Sequence, residues 1–258
     1  MSGPARLAFQ IAVARNPSPS PSFALAERLE LSLDGDELDA RELESSNGGR
    51  VHVVDCGAGA VVVDYAATVT GLADPVPATE LELLSYLQPS RYCESDRLAP
   101  IAATEFGGLT GKALLDGVSS WVGRHLAYVA GSSLPTDGAV ETLLAGRGVC
   151  RDYAHLTVAL LRGLEVPARV VAVYAPGLAP MDFHAVTEAH LEGAWQVVDP
   201  TLLAPREGMV RIATGRDAAA TAFLSSYGAG VELEGIRVHA SSTGDLPADD
   251  LDDLVTLR

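Results

Sequence analysis

The sequence predicts an α+β fold, in which a small β-sandwich-like region precedes helices packed on an antiparallel sheet. Three observations predict it. Short β-branched runs separated by turn residues fill the chain to about residue 75, three stretches of helical periodicity lie between residues 109 and 164, and three more β runs lie between residues 168 and 200.

LAFQIAVA, after Arg6, reads as the first strand; as a secretory h-region it is too short and is interrupted by Gln10. ERLELSLDG, GRVHVVD and AVVVDYAATV follow as strands, with NPSPSPS and SSNGG as turns. CGAGA, between two of these runs, suggests a hairpin with Cys56 at its turn in a structural role. The proline-bearing stretch GLADPVPATELELLSYLQPSRY marks a boundary near residues 75 to 85, dividing a β domain (1–80) from a second domain (81–258). In that second domain, LTGKALLDGVSSWVGRHLAYV, GAVETLLAGRG and CRDYAHLTVALLRGL carry apolar residues at helical spacing. ARVVAVYA, HAVTEAHL and AWQVVDP are the β runs of the sheet.

The chain has 258 residues, 48% of them apolar and 20% charged, enough to bury the cores of two domains. Lys and Arg number 18 against 34 Asp and Glu, so the formal charge of -16 disfavours nucleic acid and anionic membrane surfaces as partners. No run approaches a membrane span. The three cysteines, Cys56, Cys93 and Cys150, form neither a disulfide framework nor a metal-ligand spacing, so a reducing, cytoplasmic setting is expected, with no metal. No glycine-rich phosphate loop or other cofactor signature is present.

The chemistry concentrates on Cys150. It begins a helix whose apolar residues Tyr153, Leu156, Leu160 and Leu164 step by three and four. The dipole and unpaired N–H groups of a helix start favour a thiolate, and Arg151 adds positive charge beside it. Gly146 and Gly148 leave room for a substrate backbone. His155, five residues on, is rotated by roughly 140° around the helix and is read as structural. His184 and Asp199 are the stronger partners. Glu192 and Gly193 suggest a two-residue hairpin loop, which places residue 191 opposite 194, 190 opposite 195 and 186 opposite 199. Asp199 and His184 then share a sheet face as diagonal neighbours about 7 to 8 Å apart, within reach of a His–carboxylate hydrogen bond. A three-residue loop would send Asp199 to the other face. The predicted set is nucleophile Cys150, base His184 and orienting Asp199, the arrangement that nucleophilic acyl transfer needs. Asp152 is read as a capping carboxylate, Trp121, Tyr92 and Tyr153 as packing residues, and Arg216 with Asp217 as a helix start bearing a local ion pair. Arg91, Tyr92 and Cys93 are read as a link or cleft rim, and the acidic tail GDLPADDLDDLVTLR as a solvated end or final strand.

The ordered set GVCRDYAHL, DFHA and WQVVDPT resembles the transglutaminase-like superfamily, whose core is similar to that of papain-like cysteine proteases. LQPSRYCESD, LEVPARVVAVY and VRIATGRDAAATAF resemble segments of its bacterial branch that carries an N-terminal β domain. The resemblance implies a Cys, His, Asp triad on Cys150, His184 and Asp199, a thioester intermediate, and a peptide or protein substrate. Val186 stands where many members have Trp, and no calcium-loop pattern is visible. Hydrolysis of a peptide or isopeptide bond is the expected reaction; transamidation and a non-catalytic interaction module are the alternatives.

Overall fold

The structure, a computed structural model, describes residues 1–15, 21–45 and 48–258. The turns expected at 16–20 and 46–47 lie outside the described residues. In chain order, the first strands are β1 (Ala5–Phe9), β2 (Ala24–Leu33), β3 (Asp36–Glu37), β4 (Arg41–Glu44), β5 (Arg50–Cys56) and β6 (Val61–Thr70). Helices α1 (Glu80–Ser85), α2 (Ser95–Phe106) and α3 (Gly111–His125), strand β7 (Ala127–Tyr128), helix α4 (Ala139–Ala145), strand β8 (Arg147–Gly148) and helix α5 (Cys150–Gly163) follow. Strands β9 (Ala168–Tyr174), β10 (His184–Leu191), β11 (Ala194–Val198), β12 (Val210–Gly215) and β13 (Leu224–Gly228) complete the order.

Two compact units form. The first comprises Met1–Val76, Ala222–Val238 and Arg258, and the second Pro77–Thr221 and His239–Leu257. The first unit thus includes Ala222–Val238 and Arg258 besides the N-terminal residues. β13, which the sequence reading placed in the second domain, pairs antiparallel with β1 from Ala5 opposite Gly228 to Phe9 opposite Leu224.

The first unit is built from two sheets, ordered β13-β1-β5-β4 and β3-β2-β6. Leu7, Phe9, Leu31 and Val54 are buried between them. The CGAGA stretch is not a hairpin. β5 pairs with β1 and β4, whereas β6 pairs with β2, so residues 57–60 cross from one sheet to the other, and Cys56 ends a strand instead of sitting at a turn. A local turn signal cannot choose between folding back and crossing over; the choice lies with distant partners.

The second unit sets helices against a four-stranded sheet of order β11-β10-β9-β12, antiparallel throughout. β-branched residues in ARVVAVY are buried along most of β9, as a central strand covered on both faces requires. α5 is the core helix. From Asp152 to Arg162 every residue is buried, so the apolar stripe of the sequence is only part of its packing surface. Thr187 of β10 donates from Oγ1 to the Ala154 carbonyl at 3.2 Å, tying sheet to helix. α2 carries no sequence expectation: Pro100 interrupts it and its apolar residues are few, but Leu98, Ala102 and Phe106 are buried in the core shared with α5. Most of the acidic tail is exposed, but its end is docked, with Val255 and Leu257 buried on the sheet face opposite α5. Among the described residues, no helix is long and apolar enough to cross a membrane.

Candidate active site

The helix that carries Cys150 starts sharply because of its own first turn. Val149 is extended at the N-cap, and the Asp152 carboxylate turns back to accept the Val149 N–H at 2.8 Å. Ser133 Oγ donates to the other carboxylate oxygen at 2.8 Å, and Arg151 donates to the Leu134 carbonyl at 2.8 Å. Asp152 therefore caps, as its position suggests. Gly148 has to be glycine, since a Cβ there would lie 2.6 Å from the Asp152 Cβ. The partly exposed Cys150 is thus the first residue of a helix whose start is fixed by these bonds.

His184 and Asp199 arrive by the hairpin. Glu192 and Gly193 have φ of 54° and 84°, the left-handed pair that a two-residue turn between twisted strands needs. Leu191 lies opposite Ala194, His190 opposite Trp195 and Thr187 opposite Val198. That is the register expected from the sequence, and it puts His184 and Asp199 on one face. Their side chains meet: His184 Nε2 donates to Asp199 Oδ2 at 2.8 Å, with both residues almost wholly buried. The other carboxylate oxygen accepts from Thr201, at 3.0 Å from its N–H and 2.7 Å from its hydroxyl. With Nε2 held by Asp199, Nδ1 is the ring atom left for Cys150, and it has no conventional hydrogen bond of its own. Burial alone would lower the His184 pKa, but the hydrogen bond to Asp199 and the nearby Cys150 sulfur outweigh it and lift the ring to about 10. The three residues singled out in the sequence are therefore neighbours.

A fourth group was not legible. Tyr128 belongs to a two-residue parallel pairing with β8 that brings it opposite Gly148. Burial pushes its phenol up to about 12, with the nearby charge of Cys150 adding to the effect, while a hydrogen bond with the Cys150 backbone works against it. The phenol is thus beside both the thiol and the backbone N–H of Cys150. A strand of two residues carries no periodicity, and only β7–β8 pairing makes the contact.

Other candidates lie elsewhere. His155 is fully buried, stacked on Tyr92 at 5.3 Å, and its Nε2 accepts the Ala218 N–H at 3.1 Å. Burial lowers its pKa to about 3, so it is a neutral structural imidazole. Trp121 donates from Nε1 to Glu105 at 3.0 Å and stacks on His125. Cys93 is wholly buried, its thiol pushed up to about 12 by desolvation. Arg216 and Asp217 do not begin a helix or pair with each other. Arg216 donates to the Pro89 carbonyl at 2.7 Å, while Asp217 accepts the Tyr92 N–H at 3.1 Å and the Ala219 N–H at 3.0 Å, so they fix a turn against the Ser90–Cys93 segment. The same segment is pinned by Arg162 of α5, which donates to the Gln88 and Arg216 carbonyls at 3.1 and 2.7 Å. No group of His, Cys, Asp and Glu suited to a metal ion occurs among the described residues.

Comparison with known proteins bears on the family and the fold. The profile of the transglutaminase-like superfamily matches residues 105–200, a span that contains Cys150, His184 and Asp199. A crystal structure of a "Putative Cysteine Protease" from Cytophaga hutchinsonii is 32% identical, with 88% of this chain and 82% of that one aligned at a TM-score of 0.79. The periplasmic domain of TgpA from Pseudomonas aeruginosa aligns over 78% of this chain and 88% of that one at 18% identity and a TM-score of 0.46. An uncharacterized protein of Mycobacterium leprae is 26% identical over 140 residues, and the chain spans about half the length of that curated relative. With its α+β architecture, its aligned hairpin pair and this overall likeness, the chain belongs to the transglutaminase-like superfamily.

Proposed function

We propose that the chain is a cysteine-dependent acyl-transfer enzyme that hydrolyses peptide or isopeptide amides through a thioester on Cys150. The observation that carries this reading is the buried His184–Asp199 pair, with Nδ1 of the ring left for a thiol at a helix start. Hydrogen bonding to Asp199 overcomes the effect of burial and raises the His184 pKa, favouring the imidazolium that the reaction requires beside the Cys150 sulfur. The thiolate attacks the amide carbonyl carbon, and the electron pair of the C=O moves to oxygen. The Cys150 backbone N–H and the Tyr128 hydroxyl are placed to donate to that oxyanion. His184 then protonates the leaving amine as the C–N bond breaks, leaving a thioester. Water, deprotonated by His184, attacks the thioester, and the thiol is released with the carboxylic acid. Asp199 holds the ring tautomer throughout and compensates its charge.

Transamidation would follow the same path with a primary amine replacing water, and no feature of the site favours it. The unpaired cysteines suit a reducing, cytoplasmic setting, and the expected partner is a peptide or protein substrate. The test is incubation with a peptide library, with and without a primary amine, read by mass spectrometry. Cleaved products with free carboxylates, absent with Cys150→Ala, support hydrolysis. Amine-linked products alone would establish transamidation, and no turnover in either arm would favour an interaction module.

A further inference from the structure

We propose that residues 246–257 form a strap that positions the His184–Asp199 pair, with Arg206 and Asp249 as its buckle. The inference rests on the function proposed above and adds a positioning element outside the reacting residues. Its starting point is that the pair sits where pairing ends. His184 is the first residue of β10, and Asp199 lies one position beyond the last cross-strand partner, Val198 opposite Thr187. On the β9 side His184 is still paired, opposite Val173, but the β10–β11 ladder ends before Asp199, and β11 is an edge strand of its sheet. Something else has to hold a 2.8 Å contact there.

The strap touches every segment that leads to the pair. Before His184, Gly177 packs against Leu246, and a Cβ at Gly177 would lie 3.0 Å from the Leu246 Cδ1. Before Asp199, the Val197 N–H donates to the Val255 carbonyl at 2.7 Å, so the strap pairs with the open edge of β11 two residues from the carboxylate. After Asp199, the chain runs through a 3-10 turn at Arg206–Gly208. Arg206 donates from Nε to both Asp249 oxygens at 2.9 and 3.2 Å and from a terminal nitrogen to the Asp250 carbonyl at 2.7 Å. Beneath the pair, Val255 and Leu257 pack in one buried cluster with Val186 and Val197. Those two residues lie two places after His184 and two before Asp199, on the same sheet face. The strap thus packs against the residues that stand next to the pair along the same sheet face.

The Arg206–Asp249 pair is largely buried, with side chains 9% and 18% exposed. Removing one partner leaves an uncompensated charge against the 200–209 connection and shifts the carboxylate. A positioning role differs from a stabilising one in what it changes at the sulfur. The experiment is the rate of Cys150 alkylation by iodoacetamide from pH 5 to 9 in the full chain, for wild type, Asp249→Asn and Arg206→Met. The low-field proton of the His184–Asp199 hydrogen bond is followed in parallel by NMR. The account expects alkylation at pH 6 to fall at least about tenfold in either single variant, with broadening or loss of the NMR signal. It also expects recovery when Arg206→Asp and Asp249→Arg are combined. A profile and NMR signal unchanged in a folded variant would overturn the strap while leaving the triad intact. A wild type without enhanced alkylation at pH 6 would instead overturn the proposed function. Should a buckle variant fail to fold, Leu246→Ala, at a partly exposed position, reads the same two quantities.

Discussion

His155→Gln is expected to make the second unit less sensitive to acid. The native imidazole is fully buried, accepts the Ala218 N–H and has its pKa lowered to about 3, first by desolvation and then by the charges of Arg151 and Arg162, against an opposing contribution from Asp217. In the unfolded chain the same ring titrates near its ordinary value, about 6.5. The unfolded state therefore binds a proton that the folded state refuses, and stability from this residue is intact above about 6.5 and is lost as pH falls toward 3. At pH 5 the loss is about 2 kcal/mol, which for a unit of this size corresponds to roughly 4 to 8 °C in the unfolding midpoint. Glutamine keeps an acceptor near the Ala218 N–H but cannot be protonated. Both tryptophans, Trp121 and Trp195, lie in the second unit, so their fluorescence reports its unfolding. The drop in midpoint between pH 7.5 and pH 5 should be smaller in the variant than in the wild type by about that amount, whatever the absolute stabilities. Equal drops in the two proteins would refute the reasoning.

Replacing Tyr128 with Phe removes a hydroxyl placed beside the Cys150 backbone; turnover is expected to fall by about 10²- to 10³-fold, with Cys150 alkylation changed little, as steady-state kinetics and labelling together would reveal. Gly148→Ala forces a Cβ against that of Asp152 at 2.6 Å, and both atoms are fixed to backbone, so the start of α5 must move. A loss of about 1 to 3 kcal/mol in urea unfolding is expected, together with loss of activity. Asp199→Asn keeps the shape of the pair but removes the charge that holds the tautomer, and turnover should drop by about 10⁴-fold while the fold is retained.

The candidate triad was legible because its geometry is local on one side. Glu192 and Gly193 are residues that accept a left-handed backbone, so their loop length fixes a register, and the register fixes which side chains share a face. Cys150 was legible from the glycines and the helical period that follows it. What escaped the sequence depends on distant or very short pairings. The CGAGA stretch looks like a hairpin until β1 claims β5, and Tyr128 is ordinary until a two-residue ladder sets it beside Cys150. α2 escaped because its few apolar residues gain their meaning only against α5. The acidic tail reads as solvent-facing by composition, yet Val255 and Leu257 decide where it lies.

Iodoacetamide labelling of Cys150 between pH 5 and 7 tests the central claim most directly. An imidazolium whose pKa is raised to about 10 keeps its proton across this range and places a positive charge beside the Cys150 sulfur. Cys150 should therefore label much faster at pH 6 than a free thiol does, with Cys93 shielded by burial, and His184→Ala should abolish the excess. Labelling no faster than a free thiol, or an excess that survives His184→Ala, would contradict the account.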